Sequence, residues 1–211
     1  MKMQDDHIKQ RMDTLQQYVS DMIAVEQHIG DALKRQQGDS HVYEHNPQAA
    51  RLIQQIASMT EQHEEHLKQH LKALGGDPAK GIKELAASAL GAVAGMYDKI
   101  RTESVSKMLR DDYTALNLAA VSYTMLHTTG LALQDQVTAD LALRHLQHYS
   151  QLIMEINRVI PHVVLEDLRE HIPGLTISSA EQAVANTQRA WQPSASAIGG
   201  AAGSGMGSHA I

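Results

Sequence analysis

Residues 8–33 read IKQRMDTLQQYVSDMIAVEQHIGDAL, and their apolar side chains recur at about every third or fourth position. This spacing is typical of one face of an α-helix and predicts a helix over residues 4–37. Glu26 falls within the apolar face, about 40° from Met22 at roughly 100° per residue. A carboxylate there must be neutralised, paired or bound to a metal ion, because burying an isolated charge is very costly. The apolar face comprises Ile8, Met12, Leu15, Val19, Met22, Ile29 and Leu33.

The same spacing predicts two further helices, with turn residues marking their ends. Asn46 and Pro47 suit the N-cap and the first position of a second helix. Gly75 predicts the end of that helix near residue 74, since Gly readily adopts the left-handed conformation that closes helices. A third helix is expected over about 104–134.

A fourth long helix and a short one complete the prediction. Asp135 is the expected N-cap of a helix over about 136–160, which Pro161 kinks or interrupts before the helix continues briefly. Residues 81–100, rich in small side chains, are expected to form a short helix. No stretch alternates apolar and polar residues for long, so no β-strand is predicted.

These segments predict an all-α fold: a four-helix bundle with a short crossover helix between helices 2 and 3 and a flexible C-terminal tail. The bundle is expected to occupy residues 1–174. Residues 175–211 are expected to form a weak helix, with Ser178 and Glu181 as its capping box, and then a tail rich in Gly, Ala and Ser.

The composition excludes several classes of function. The chain of 211 residues has no Cys, which removes disulfides, thiolate metal sites and cysteine nucleophiles. Its net charge of −6 predicts no nucleic-acid partner. No apolar stretch is long enough to cross a membrane and the N-terminus has no signal-peptide core, so we expect a cytoplasmic location and no membrane partner. The 13 His are the unusual count, because His binds metals and titrates near neutral pH.

Three of those His share the apolar face of the second helix. His63, His66 and His70 follow the spacing i, i+3 and i+7, which lets neighbouring imidazoles reach one cation, and Glu64 lies at the margin of that face. Together with Glu26 of the first helix, they are the predicted metal ligands. The alternative is a buried Glu that bonds partly buried His without any cation.

Weaker candidates for a metal site lie on the expected inner faces of the third and fourth helices. The simpler interpretation of these residues is core His whose ring nitrogens bond Tyr hydroxyls. The candidates are Tyr123, His127, His145 and Tyr149.

The level of Glu26 relative to the histidines depends on how the first two helices turn. A hairpin folded about residue 42 places Glu26 level with residue 58. Glu26 is then about 7–8 Å along the helix axis from His63, at roughly 1.5 Å per residue.

Four segments resemble the ferritin-like superfamily and, more narrowly, small bacterial ferritin-like proteins of the YciE/YciF stress-protein type. The resemblance covers roughly residues 5–170 and implies a four-helix bundle, non-haem iron binding and a role in stress. The segments are YVSDMIAVEQHIGDAL (18–33), MTEQHEEHLKQHLKALGG (59–76), SKMLRDDYTALNLAAVSYTMLHTTGLAL (106–133) and LRHLQHYSQLIMEINRVIP (143–161).

The chain departs from the diiron pattern of that superfamily. The pattern requires an inward Glu on the first and third helices and a Glu-x-x-His pair on the second and fourth. Glu26 suits the first helix, but no Glu precedes a His by three residues in the second, and the other two helices offer no inward Glu. A reduced, non-catalytic site is therefore expected, and such ligands suit zinc or a single iron better than a diiron pair.

The predicted function is that of a ferritin-like, metal-binding, stress-associated protein, with iron or zinc as its cofactor. Catalysis is not expected, and an enzyme built on this site would be a ferroxidase-like oxidoreductase. The alternative is a metal-free structural or interaction protein that binds a partner or a protein shell through its C-terminal tail. We expect a homo-oligomer in either case.

Overall fold

A computed structural model of the protein describes residues 2–38, 46–78 and 104–191, and these ranges are almost entirely helical with no β-strand. The all-α class predicted from the sequence is confirmed. No helix in these ranges is both long and apolar enough to cross a membrane. The predicted helix at 81–100 and the tail from residue 193 lie outside the described residues. The helices are α1 (Lys2–Gln37), α2 (Pro47–Ala73), α3 (Val105–Ala132), α4 (Gln136–Arg169) and α5 (Ser178–Trp191).

The four long helices pack as neighbours around one core. α1 packs on α2 and on α3, α4 packs on α3 and on α2, and α5 packs on α4. α1 and α3 are antiparallel, because Arg11 donates to the Leu133 carbonyl near one end and Gln36 Nε2 donates to Asp112 Oδ1 at 2.8 Å near the other. α2 ends beside Gln16, near the first of these two ends, whereas α3 begins near the second.

The apolar faces of these four helices supply the core. Burying one large aliphatic side chain contributes about 1.5–3 kcal/mol, so this core is the main source of stability. Its fully buried members include Val19, Ile23 and Leu33 of α1, Ile53, Ile56 and Leu67 of α2, Leu109, Leu116 and Leu126 of α3, and Ile156 of α4.

The helix ends follow the sequence signals closely. Gly75 adopts a φ of +80° just after α2, a conformation that favours Gly. The Asp135 side chain accepts the backbone N–H of Thr138 at 2.7 Å and so caps α4. Asn46 stands at the N-cap of α2, but its side chain makes no capping hydrogen bond.

Pro161 does not interrupt α4, which runs without a break through the predicted end at residue 160. A proline removes one backbone donor from a helix, and the remaining bonds and packing can carry the helix past it. Val163 and Leu165, beyond the proline, are both buried, so packing supports the continuation.

Ile8 was expected on the buried face of α1 but is 54 % exposed. Gln16 Nε2 donates to the Leu74 carbonyl at 2.7 Å, so α2 ends beside Gln16. The first turns of α1 extend past that level, where α2 no longer covers them.

Gly130 lies where α3 approaches the first turn of α4 most closely, and a Cβ there would lie 2.6 Å from the Ala139 nitrogen. We expect Gly130→Ala to lower the free energy of unfolding in urea by about 1–3 kcal/mol, because the helices must move apart. In the matched control Gly30→Ala, the new Cβ would meet Thr60 Cγ2 at 3.6 Å, an ordinary contact. This control should gain up to about 1 kcal/mol from helix propensity. Equal effects of the two changes would contradict the close approach.

Candidate functional site

Glu26 of α1 is fully buried, as predicted, and its carboxylate accepts a hydrogen bond from each of the other three long helices. His63 Nδ1 of α2 lies 3.3 Å from Glu26 Oε1, and the Tyr123 hydroxyl of α3 donates to the same oxygen. The Tyr149 hydroxyl of α4 donates to Oε2 and lies 3.1 Å from Thr60 Oγ1. These bonds offset the loss of water around the carboxylate.

Glu26 is level with His63 and not with residue 58, so the predicted axial offset between Glu26 and His63 is wrong. The next residue along each helix confirms this level, because Gln27 Nε2 of α1 donates to Glu64 Oε1 of α2 at 2.8 Å. α2 begins about five residues, or roughly 7–8 Å, beyond the level at which α1 ends. A hairpin that is symmetric about residue 42 does not reproduce this shift.

The hydrogen bonds around Glu26 assign the protons of two buried imidazoles. His63 Nδ1 faces a carboxylate oxygen and therefore carries the proton. The Tyr123 hydroxyl donates its proton to Glu26, so its oxygen accepts from His145 Nδ1 at 3.0 Å. In the neutral rings, Nε2 of His63 and of His145 each keep a free lone pair.

Both lone pairs point at a second imidazole. His63 Nε2 lies 3.0 Å from His148 Nδ1, and His145 Nε2 lies 3.4 Å from His66 Nδ1. The inner rings, His63 and His145, are parallel within 8° and stack with their centroids 3.9 Å apart. We call His63, His66, His145 and His148 the histidine cluster. It runs from the core to the surface between α2 and α4, since His148 is half-buried and His66 is exposed.

Burial and mutual repulsion favour the neutral form of two members of the cluster, His145 and His148. The pKa of His145 is lowered to about 2 by burial and then by the nearby His63, His66, His148 and Arg144. The pKa of His148 is lowered for the same reasons, burial first. The pKa of the Tyr123 hydroxyl is raised well above its ordinary value, by burial and then by the charge of Glu26, so the hydroxyl remains a donor.

Three of the predicted site residues bond groups outside the cluster. His70 Nε2 lies 2.7 Å from Thr138 Oγ1, and burial lowers the pKa of His70. Glu64 forms an ion pair with Lys68 at 2.6 Å as well as accepting from Gln27. His127 Nδ1 donates to the Ala139 carbonyl at 2.8 Å. The structure brings together the other candidates: Glu26, His63, His66, Tyr123, His145 and Tyr149.

His148 is a member of the cluster that is not among the site residues predicted from the sequence. The available signal was the pair His145 and His148 on α4, which repeats the i, i+3 spacing of His63 and His66 on α2. Two such pairs on neighbouring antiparallel helices come into contact only if they lie at the same height along the helix axes. That height is determined by helix packing, so the sequence spacing alone does not predict the contact.

The cluster offers donors for one cation and does not fit a diiron centre. Within the described ranges, the structure contains no group of three or more His, Asp or Glu side chains that could hold a metal ion, so a cation would require the cluster rings to move. Glu26 is the one carboxylate among those residues that bonds the cluster, and both of its oxygens already accept hydrogen bonds. Two irons require several carboxylates to balance their charge.

Comparisons with protein-family models, with curated proteins and with solved structures find no match to this chain. The chemistry of the site therefore rests on its own geometry.

We expect His145 to stay neutral at pH 5 in the folded, metal-free protein, because its pKa is lowered to about 2. An unfolded His takes up a proton below about pH 6.5. His145 therefore makes folding less favourable, by about tenfold per pH unit, as the pH falls below that value. Imidazole Cε1–H resonances followed from pH 8 to pH 5 measure this, with the exposed His171 as internal reference. Protonation of His145 above pH 5 would contradict its lowered pKa.

Proposed function

We propose that the chain is a ferritin-like four-helix bundle that binds one divalent cation, zinc or ferrous iron, at the histidine cluster. The packing of α1 to α4 around one core supports the bundle. The opposite positions of the α2 end and the α3 start support a crossover between them, as the superfamily resemblance implies.

The observation that carries the metal proposal is the pair of close contacts between imidazole nitrogens. The distances are 3.0 Å for His63 Nε2 and His148 Nδ1, and 3.4 Å for His145 Nε2 and His66 Nδ1. Two nitrogens bound to one tetrahedral zinc ion at 2.0–2.1 Å lie about 3.3 Å apart. Small movements of the rings therefore suffice to exchange a hydrogen bond for a shared cation.

Glu26 acts in this proposal as an outer partner and not as a ligand. Metal-binding His usually donate their second ring N–H to a carboxylate or another oxygen, which fixes the ring and the nitrogen that it presents. His63 donates Nδ1–H towards Glu26 and His145 donates Nδ1–H to Tyr123. Both inner rings thereby present Nε2 to the outer rings, and the exposed His66 provides a path for the cation from solvent.

A bound cation would supply Lewis acidity and a positive charge that holds α2 against α4. The protein's own groups orient the ligands and keep the site dry. Glu26 and Tyr123 accept hydrogen bonds from the Nδ1–H groups of His63 and His145, and the aliphatic core excludes water. A catalytic iron pair is not part of the proposal, since one carboxylate cannot balance two irons.

A metal-free structural role is the second candidate, and a specific observation favours it. Both oxygens of Glu26 have donors inside the protein, and each inner imidazole has partners on both ring nitrogens. This network is complete without a cation. The partner or shell that the C-terminal tail was predicted to bind concerns residues outside the described ranges.

Zinc titration of the chelator-treated protein distinguishes the two candidates. We expect one tight site per chain, and we expect His66→Ala and His148→Ala each to weaken it by more than the ~10–100-fold loss typical for an outer partner. Both residues lie at the solvent side of the cluster, so the variants should fold. His162→Ala is the matched control, since His162 is also half-buried on α4 and bonds no member of the cluster. Equal affinity in all four proteins would exclude the cluster as the site.

We expect no ferroxidase activity, because Glu26 is the one carboxylate among the described residues that bonds the cluster. Oxygen-dependent oxidation of Fe(II), followed by the absorbance of ferric products, should match the rate in buffer. Glu26→Ala should leave that rate unchanged. Saturable oxidation well above the buffer rate, lost in Glu26→Ala, would show that a second iron and further carboxylates assemble.

A further inference from the structure

Asp112 of α3 is a second buried carboxyl group, and the proposed metal site does not use it. It faces Gln36 of α1, and each side chain is only 2 % exposed. Gln36 Nε2 donates to Asp112 Oδ1 at 2.8 Å. Gln36 follows Glu26 by ten residues on α1, so this pair lies about 15 Å along the helix from the histidine cluster.

Two oxygens of this pair, Asp112 Oδ2 and Gln36 Oε1, are buried and have no hydrogen-bond partner among the described residues. Both are acceptors when Asp112 is ionised, so neither can satisfy the other. Buried polar atoms without partners destabilise a fold, and most of all when one belongs to a charged group. An ionised Asp112 beside the Gln36 amide therefore leaves two buried oxygens without a hydrogen-bond donor.

We infer that Asp112 is the carboxylic acid in the folded protein and that its Oδ2–H donates to Gln36 Oε1. Carboxyl and carboxamide groups are planar, each with two heteroatoms about 2.2 Å apart. When the planes of two such groups align, one hydrogen bond between them lets the remaining two atoms lie side by side. A single proton satisfies both oxygens and closes a ring of two hydrogen bonds between α1 and α3.

The surroundings of Asp112 favour the neutral acid. Burial raises the pKa of Asp112 to about 7, the bond from Gln36 opposes this in part, and the charge of Asp111 raises the pKa further. Charged side chains at this level of the neighbouring helices are exposed or paired with each other, and none of those described pairs with Asp112. They are Arg35 of α1, Arg51 of α2, and Glu155 with Arg158 of α4.

The acid makes the α1–α3 contact sensitive to pH. An unfolded Asp loses its proton near pH 4, whereas folded Asp112 keeps it up to about 7. The folded chain thus holds an extra proton between these values, and folding becomes less favourable by about tenfold per unit as the pH rises through this window. Above pH 7 the acid ionises and the two-bond ring opens.

Asp112→Asn tests the inference, because its amide forms the same two-bond ring with Gln36 at every pH. Urea unfolding should show the folding constant of this variant rising relative to wild type by about tenfold per unit between pH 5 and pH 7. The variant should be the more stable protein at pH 8. Asp111→Asn, which removes a neighbouring, partly exposed carboxylate, is the matched control; it removes only the smallest cause of the raised pKa of Asp112 and should therefore show a much smaller rise. A ratio for Asp112→Asn that is constant with pH, or that falls, would overturn the inference.

A direct measurement on the wild-type chain does not depend on how the variants fold. The ¹³C resonance of the Asp112 carboxyl carbon, in protein labelled at Asp, should be that of a carboxylic acid at pH 5.5 and should move to that of a carboxylate near pH 7. A carboxylate resonance throughout pH 5–8 would refute the protonated pair.

Discussion

The hydrogen bonds to Glu26 are the constraint on which the interior of this protein depends. One fully buried carboxylate on α1 accepts from His63 of α2, Tyr123 of α3 and Tyr149 of α4. A charge at this depth is tolerated because donors surround it, and loss of one partner from a buried charged network is strongly destabilising. The four helices must therefore meet at one level and in one rotation.

The same bonds determine the chemistry around them. Because Tyr123 gives its proton to Glu26, it accepts from His145, and the inner imidazoles are left with their Nε2 lone pairs facing outward. The two outer imidazoles then bond those lone pairs. In the proposed metal site, these outer rings would share the lone pairs with a cation, and metal affinity would be linked to the group that aligns the helices.

The interior of the protein carries two buried titratable sites with opposite responses to pH. Near Glu26, the lowered pKa of His145 makes the fold less stable as the pH falls. At the other site, the raised pKa of Asp112 makes it less stable as the pH rises towards 7. Between about pH 5 and 6.5 the two slopes oppose each other, so the net pH dependence of the wild-type chain understates each of them.

The sequence predicted the properties that depend on one helix alone, and it did not predict those that depend on how two helices pack against each other. Helical class, the cap at Asp135 and the burial of Glu26 all follow from local spacing and were predicted. The level of Glu26 relative to His63 and the exposure of Ile8 depend on how far α1 and α2 slide past each other, which no local pattern encodes. His148 was undervalued for the same reason, because its partners lie on another helix.

Long-range ¹H–¹⁵N spectra of the imidazoles, recorded before and after one equivalent of zinc, test the central claim most directly. Without metal, His63 and His145 should show a protonated Nδ1 and an unprotonated Nε2. With zinc, the Nε2 resonances should move to metal-bound positions, while both Nδ1 protons remain on the imidazoles and are donated to Glu26 and Tyr123. Protons on Nε2 in the metal-free protein would contradict the assigned network, and spectra that zinc leaves unchanged would contradict the proposed metal site.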